Sequence, residues 1–182
     1  MKEILFLLLT SILATSALTA QAEWQTFESS KGHFKILTPG DMSQKEQLME
    51  TAVGNLLFTT YLYQPKSKDP DNLYYAVSFI DYPENSIHSD STEFLDSFFH
   101  YTIDASVQSV MGDLRYVDHI KQDGYPGRLW RVDYKKGTAT IKTKAYMVGN
   151  RFYQVQVVMH RDKSLNTQQD KFFDSFNFEL SD

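Results

Sequence analysis

Residues 115–159 read RYVDHIKQDGYPGRLWRVDYKKGTATIKTKAYMVGNRFYQVQVVM, and this stretch decides the fold. Four runs rich in β-branched and aromatic residues, at 115–121, 128–135, 138–148 and 151–159, are separated only by Gly124-Tyr125-Pro126-Gly127, Lys136-Gly137 and Gly149-Asn150. Connections this short join antiparallel neighbours and leave no room for the crossover that a parallel pair needs. In the last run Tyr153, Val155, Val157 and Met159 share one face, opposite Gln154 and Gln156, as in a half-buried strand. The stretch reads as a four-strand antiparallel meander.

Upstream of the meander the hydrophobic period changes. Asp90 followed by Glu93 matches a capping box, and Phe94, Phe98, Tyr101 and Ala105 then recur at helical spacing, beside a second stripe of Leu95, Phe99, Ile103 and Val107. The expectation is an amphipathic helix laid on a sheet; an aromatic cofactor box is the sharper alternative, and helical spacing favours core packing over it. Residues 55–63 and 73–80 read as strands joined through the loop at 64–72, with Leu73, Tyr75, Val77 and Phe79 on one core-facing side. Residues 24–27 and 33–37 form a hairpin around Ser29-Ser30-Lys31-Gly32, closed by Pro39-Gly40. After the meander come a polar helix start near Ser164, an aromatic turn at Phe172, Phe173 and Phe176, and a short strand at 178–180. Helices segregated from an antiparallel sheet define an α+β class, an antiparallel β-sheet flanked by helices, and remove the nucleotide crevice of doubly wound folds.

Lys2, the apolar run from Ile4 and the small-residue pattern Ala20-Gln21-Ala22 read as a cleavable signal peptide over residues 1–22, leaving residues 23–182 as a single domain. A membrane anchor is the competing reading, and the threonines and serines at 10, 11, 15, 16 and 19 weigh against it. The expected location is therefore the periplasm or the exterior. The chain has no cysteine, which excludes thiol catalysis, disulfides and thiolate metal sites. With 18 basic and 23 acidic residues it is mildly acidic, and no polybasic block suggests nucleic acid or membrane insertion after cleavage. Basic residues do gather between Lys121 and Lys144, interleaved with aromatics, and read as a solvated sheet face.

Chemical signatures are sparse. The G-x-S-x-G elbow, the H-E-x-x-H helix and both phosphate-cradling glycine patterns are missing from the sequence. Asp69-Pro70-Asp71-Asn72 starts like a calcium loop, yet Leu73, Tyr74 and Ile80 stand where the loop needs an oxygen ligand, a glycine and a bidentate acid. The histidines at 33, 88, 100, 119 and 160 lack metal-ligand spacing. Asp81, Glu84, His88 and Asp90 offer acid–base groups but fit a polar loop equally well. No cofactor and no catalytic residue is assigned. What stands out is tyrosine on the strand segments, at 61, 63, 74, 134, 146 and 153, and a candidate contact patch of Tyr125, Arg128 and Trp130.

Three local patterns point to a family. They are Phe27-x-Ser29-x-x-Gly32-x-Phe34-x-Ile36-x-x-Pro39, then Gly149-Asn150-Arg151-x-Tyr153-x-Val155, then Phe172-Phe173-Asp174-Ser175-Phe176. Taken in order, they resemble the PsbP-like family of exported and lumenal proteins. The resemblance implies an α/β/α sandwich and an accessory role, as a subunit or assembly and stability factor of a larger complex. Gly40-Asp41-Met42 stands where an aromatic often follows the proline, and no metal-binding position of the family matches, so no functional residue is carried over. The expectation is a non-catalytic envelope protein that binds an unidentified protein or complex. The alternative is a carrier or sensor holding a small apolar or aromatic ligand between sheet and helix, and a third reading is an enzyme with an unrecognised carboxylate or histidine site.

Overall fold

A computed structural model describes residues 23–179; the segment 1–22 read as an export signal, and Leu180 of the expected last strand, lie outside the described residues. The chain runs β1 (Gln25–Ser29), β2 (Phe34–Thr38), β3 (Ser43–Thr51), β4 (Gly54–Tyr63), β5 (Tyr74–Asp81), α1 (Thr92–Ser109), β6 (Asp113–Gln122), β7 (Tyr125–Tyr134), β8 (Ala139–Val148) and β9 (Arg151–His160). A single 3-10 turn at Arg161–Lys163 then leads to α2 (Thr167–Asp174) and β10 (Asn177–Phe178). Seven strands make the main sheet in the order β3-β4-β5-β9-β8-β7-β6, antiparallel throughout, and β1-β2-β10 make a smaller sheet. The class is α+β, as the alternation and short turns required.

The meander forms as read, with one change at its first turn. Asp123 and Gly124 both take left-handed φ values, 51° and 84°, the signature of a two-residue hairpin turn. Tyr125, Pro126 and Gly127 are therefore the start of β7 rather than part of the turn. Pro126 is tolerated because the ladder to β8 begins only at Gly127, so its missing N–H costs that ladder nothing. A β-carbon on Gly127 would sit 2.4 Å from the Ala145 carbonyl oxygen, which explains the glycine.

Strand β3 had no counterpart in the sequence reading. Its residues, SQKEQLMET, are polar at both faces, and all but Thr51 are exposed, because β3 is an edge strand covered on neither side. It pairs with β4 along its length, whereas β4 pairs with β5 only over 59–63, so the distal half of the β3–β4 ribbon projects from the sheet.

Each face of the main sheet has its own core. On one, Tyr75, Val77 and Phe79 of β5 and Tyr153, Val155, Val157 and Met159 of β9 meet Phe34 and Ile36 of β2 and Phe172, Phe173 and Phe176 from the chain end. Phe34 is fully buried, 5.5 Å from the Phe176 ring and 5.9 Å from that of Tyr61. Tyrosine hydroxyls in this layer find partners within the chain: Tyr153 donates to the Gly32 carbonyl at 2.7 Å, and Tyr61 accepts from Ser29 Oγ at 3.0 Å. Burial pushes the Tyr75 and Tyr146 hydroxyls up to about 12, so they stay neutral.

On the other face Leu95, Phe99 and Ile103 of α1 pack with Ile80, Trp130, Val132, Met147 and Phe152. Of the two helical stripes the second is core; from the first, Phe98 is half-buried against Phe152 while Phe94 and Tyr101 point to solvent, because the helix touches a sheet on one side only. The N-cap of the helix is Ser91, with no side-chain cap, and Asp90 precedes it, its backbone N–H donating to His88 Nδ1 at 3.3 Å, so Asp90 is not the cap. At the other helix the Asn166 side chain caps α2 by accepting from Gln169 N at 2.9 Å.

Two substitutions probe this account by chemical denaturation. Gly127→Ala is expected to cost about 1–3 kcal/mol by forcing β7 away from β8. Tyr153→Phe leaves the buried Gly32 carbonyl without its donor and is expected to cost about 1–3 kcal/mol; an unchanged midpoint would show that the hydroxyl does not hold the β1–β2 turn.

Candidate functional site

Helix α1 lies across β7 and its neighbours and stops short of β6. Cross-strand pairs Leu114 with Val132, Val117 with Trp130 and His119 with Arg128 put these β6 side chains on the face that α1 covers elsewhere. Leu114 and Val117 are nonetheless 41% and 39% exposed. The result is an open groove between α1 and β6, in two lobes of about 560 and 290 Å³. Leu95, Ile120 and Pro126 line the larger lobe, and Phe99, Ile103, Leu114 and Val117 the smaller. Asp96, His119 and Arg128 belong to both.

Arg128 is the fixed point of this groove. It is buried, its Nη2 pairs with Asp96, its Nη1 donates to the Gly127 carbonyl at 2.8 Å, and its guanidinium lies 4.8 Å from the centre of the Phe99 ring. A buried cation needs such a full set of partners. Trp130 lies beneath, fully buried, with Nε1 donating to Ser106 Oγ at 3.1 Å. Tyr125 is on the opposite face of β7, its ring 5.9 Å from Phe178. The three residues proposed from sequence as a contact patch are therefore not one surface. An odd and two even positions of a strand point to opposite sides, and Trp130 is core.

The remaining candidate groups do not converge. Asp81 is held by Arg151 Nη2 at 2.8 Å, Asp69 pairs with Lys163, and His100 pairs with Asp104 at 3.4 Å one turn along α1. Among the described residues no three of His, Asp and Glu come together as a metal site would require. A second, smaller cleft of about 130 Å³ opens between Trp24, Tyr63, Tyr75 and three prolines. Sequence reasoning missed the α1–β6 groove, whose local signal is no more than Leu114 and Val117 standing among the polar and charged residues of β6.

No helix among the described residues is long and apolar enough to cross a membrane. The chain matches no protein-family model and no curated protein sequence. Its structure is similar to the solution structure of cyanobacterial PsbP (CyanoP) from Synechocystis sp. PCC 6803, with a TM-score of 0.51, 12% sequence identity and coverage of 91% of this chain and 98% of that one. At that identity the likeness concerns the fold alone, and the fold is PsbP-like, as the three local patterns implied.

Proposed function

We propose that the chain is an exported, non-catalytic accessory protein that binds another protein of the cell envelope through the α1–β6 groove and the free edge of β6. The observation that carries this reading is β6 itself. It is ten residues long, has a ladder partner on one side only, and exposes Leu114 and Val117 on its groove face beside His119 and Lys121. An apolar centre with a polar rim beside an unpaired strand edge is the form of a surface that takes an added strand with side chains in an adjoining groove. The bulge between Leu114 and Tyr116 and the alternating charges disfavour pairing with a second β6.

A small-ligand carrier is the second reading. A carrier calls for an enclosed apolar chamber with few polar groups, whereas the groove is open along its length and carries Asp96, His119, Lys121 and Arg128 on its walls. The protein-binding reading therefore stands ahead of it.

A photo-crosslinking side chain at position 117, with another at the exposed Leu165 as control, tests the proposal in envelope extract. One adduct of defined mass is expected from position 117 and none from 165. Val117→Glu is expected to reduce capture at least tenfold while changing stability by only about 0.5 kcal/mol, as an exposed position should. Trp130→Ala, in contrast, is expected to cost about 3–5 kcal/mol and to lose the partner only by unfolding. Capture unaffected by Val117→Glu, or recovery of a small molecule and no protein, would overturn the assignment.

A further inference from the structure

On the other face of β7, three arginines from three separate segments close over a single carboxylate. Asp133 is buried, its side chain 4% exposed. Arg131 Nε lies 2.8 Å from its Oδ1, Thr140 Oγ1 donates to the same oxygen at 2.9 Å, and Arg115 and Arg161 bring Nε to 3.6 and 3.8 Å from Oδ2. Burial alone would push this carboxyl up, but the bonds from Arg131 and Thr140 and the field of Arg161 outweigh it and hold the group below the ordinary carboxylate value. One buried negative charge thus faces three positive ones, on a protein whose net charge is −5.

Asp133 needs one guanidinium, and Arg131 supplies it. Arg115 and Arg161 approach it only through Nε, beyond hydrogen-bonding distance, and are about half exposed, with side chains 52% and 55% accessible, so part of each side chain is open to solvent. Two further features concentrate positive charge there against the local preference of the chain. Lys142 is directly opposite Arg131 in the β7–β8 ladder, a like-charge pair that destabilises a sheet. At the end of the same strands Lys135, Lys136 and Gly137 take three successive left-handed φ values of 50°, 57° and 79°, unfavourable for lysine, and Arg161 Nη1 reaches the Gly137 carbonyl at 3.5 Å. The acids beside the cluster are Asp113, opposite Asp133 in the ladder, and Asp162, next to Arg161.

We propose that Arg115, Arg131 and Arg161 form a binding site for a phosphate group, with Asp133 as the internal counter-charge that orients them. Guanidinium groups arriving from β6, β7 and the 3-10 turn suit a tetrahedral anion with several acceptor oxygens better than a planar carboxylate. The ligand is a free phosphate or the phosphodiester head group of an anionic lipid. The site goes beyond the protein-binding groove, from which the sheet separates it.

Thermal unfolding of the purified protein in inorganic phosphate, against chloride at matched ionic strength, tests the first source; co-sedimentation with phosphatidylglycerol vesicles, against phosphatidylcholine, tests the second. A saturable rise in Tm with phosphate, or sedimentation with the anionic vesicles alone, is expected. Arg115→Gln and Arg161→Gln are each expected to weaken that response tenfold or more, and Lys66→Gln, in the exposed loop before β5, to leave it unchanged. Val117→Glu should also leave it unchanged, which separates this site from the groove. No response to either probe, or one that persists in both arginine variants, would overturn the proposal.

Discussion

A seven-stranded sheet has two faces to withdraw from water, and this chain has little with which to cover them. Seven strands about 4.8 Å apart span roughly 29 Å, while a helix with its side chains is only about 10–12 Å across. On the β2 side a three-stranded flap and α2 together close the centre of the sheet. On the other side α1 is the only helix among the described residues, and its apolar residues, Leu95, Phe99 and Ile103 with Phe98 beside them, are used up on Trp130, Met147 and Phe152. Strand β6 is what remains beyond its reach. The groove is thus a consequence of cover too narrow for the sheet, and the apolar residues on its open side, Leu114 and Val117, are those an additional layer would bury.

The flap is held by polar ties as well as by its aromatic core. The carbonyls of Lys31 and Gly32, in the β1–β2 turn, accept from Arg151 Nη1 at 3.1 Å and from the Tyr153 hydroxyl at 2.7 Å, while Ser29 reaches Tyr61. A β-carbon on Gly32 would come within 2.5 Å of the Phe34 ring, so the close approach is possible only for glycine. Ser29 and Gly32, and Arg151 and Tyr153, belong to two of the three patterns that carried the family resemblance, separated by 121 positions in the case of Gly32 and Tyr153. What looks in sequence like a turn with hydrophobic anchors, followed much later by another, is one clasp that fixes the flap to β9. Each half is uninformative by itself because its partner is remote in sequence.

Legibility followed the range of the forces involved. The meander and the α+β class could be read because glycine turns and period-two alternation are local signals, and α1 because a period near four stands out from them. Strand β3 could not: its polar residues are those of an edge strand, and what makes it a strand is the ladder to β4. The Asp90 cap failed by one position, since the helix takes Ser91 as its N-cap. The Tyr125, Arg128 and Trp130 patch failed on parity, since moving the turn back to Asp123-Gly124 put Tyr125 into the strand and onto its far side. Arg128 did prove to sit in the groove, as a buried and fully engaged cation that shapes its wall. The groove and the arginine cluster depend on where α1 ends laterally and on which cations three remote segments bring together, and neither has a short-range signature.

Strand β7 is common to both surfaces. Its even positions, Arg128, Trp130 and Val132, form the wall and floor beside the groove, and its odd positions, Arg131 and Asp133, form the arginine cluster. Trp130 and Val132 are all but fully buried, and β7 is paired on both sides, so its backbone has no freedom to rearrange when either surface is occupied. Arg128 and Arg131 are likewise held by bonds already made, to Gly127 and Asp96 and to Asp133 and Thr140. Both surfaces are therefore preorganised, and the ordering cost of occupation falls on the exposed side chains of β6 and on Arg115 and Arg161 rather than on the fold. A rigid strand with differently functionalised faces also keeps the two surfaces independent: the pleat sends Arg128, Trp130 and Val132 to one side and Arg131 and Asp133 to the other, and no β7 side chain serves both.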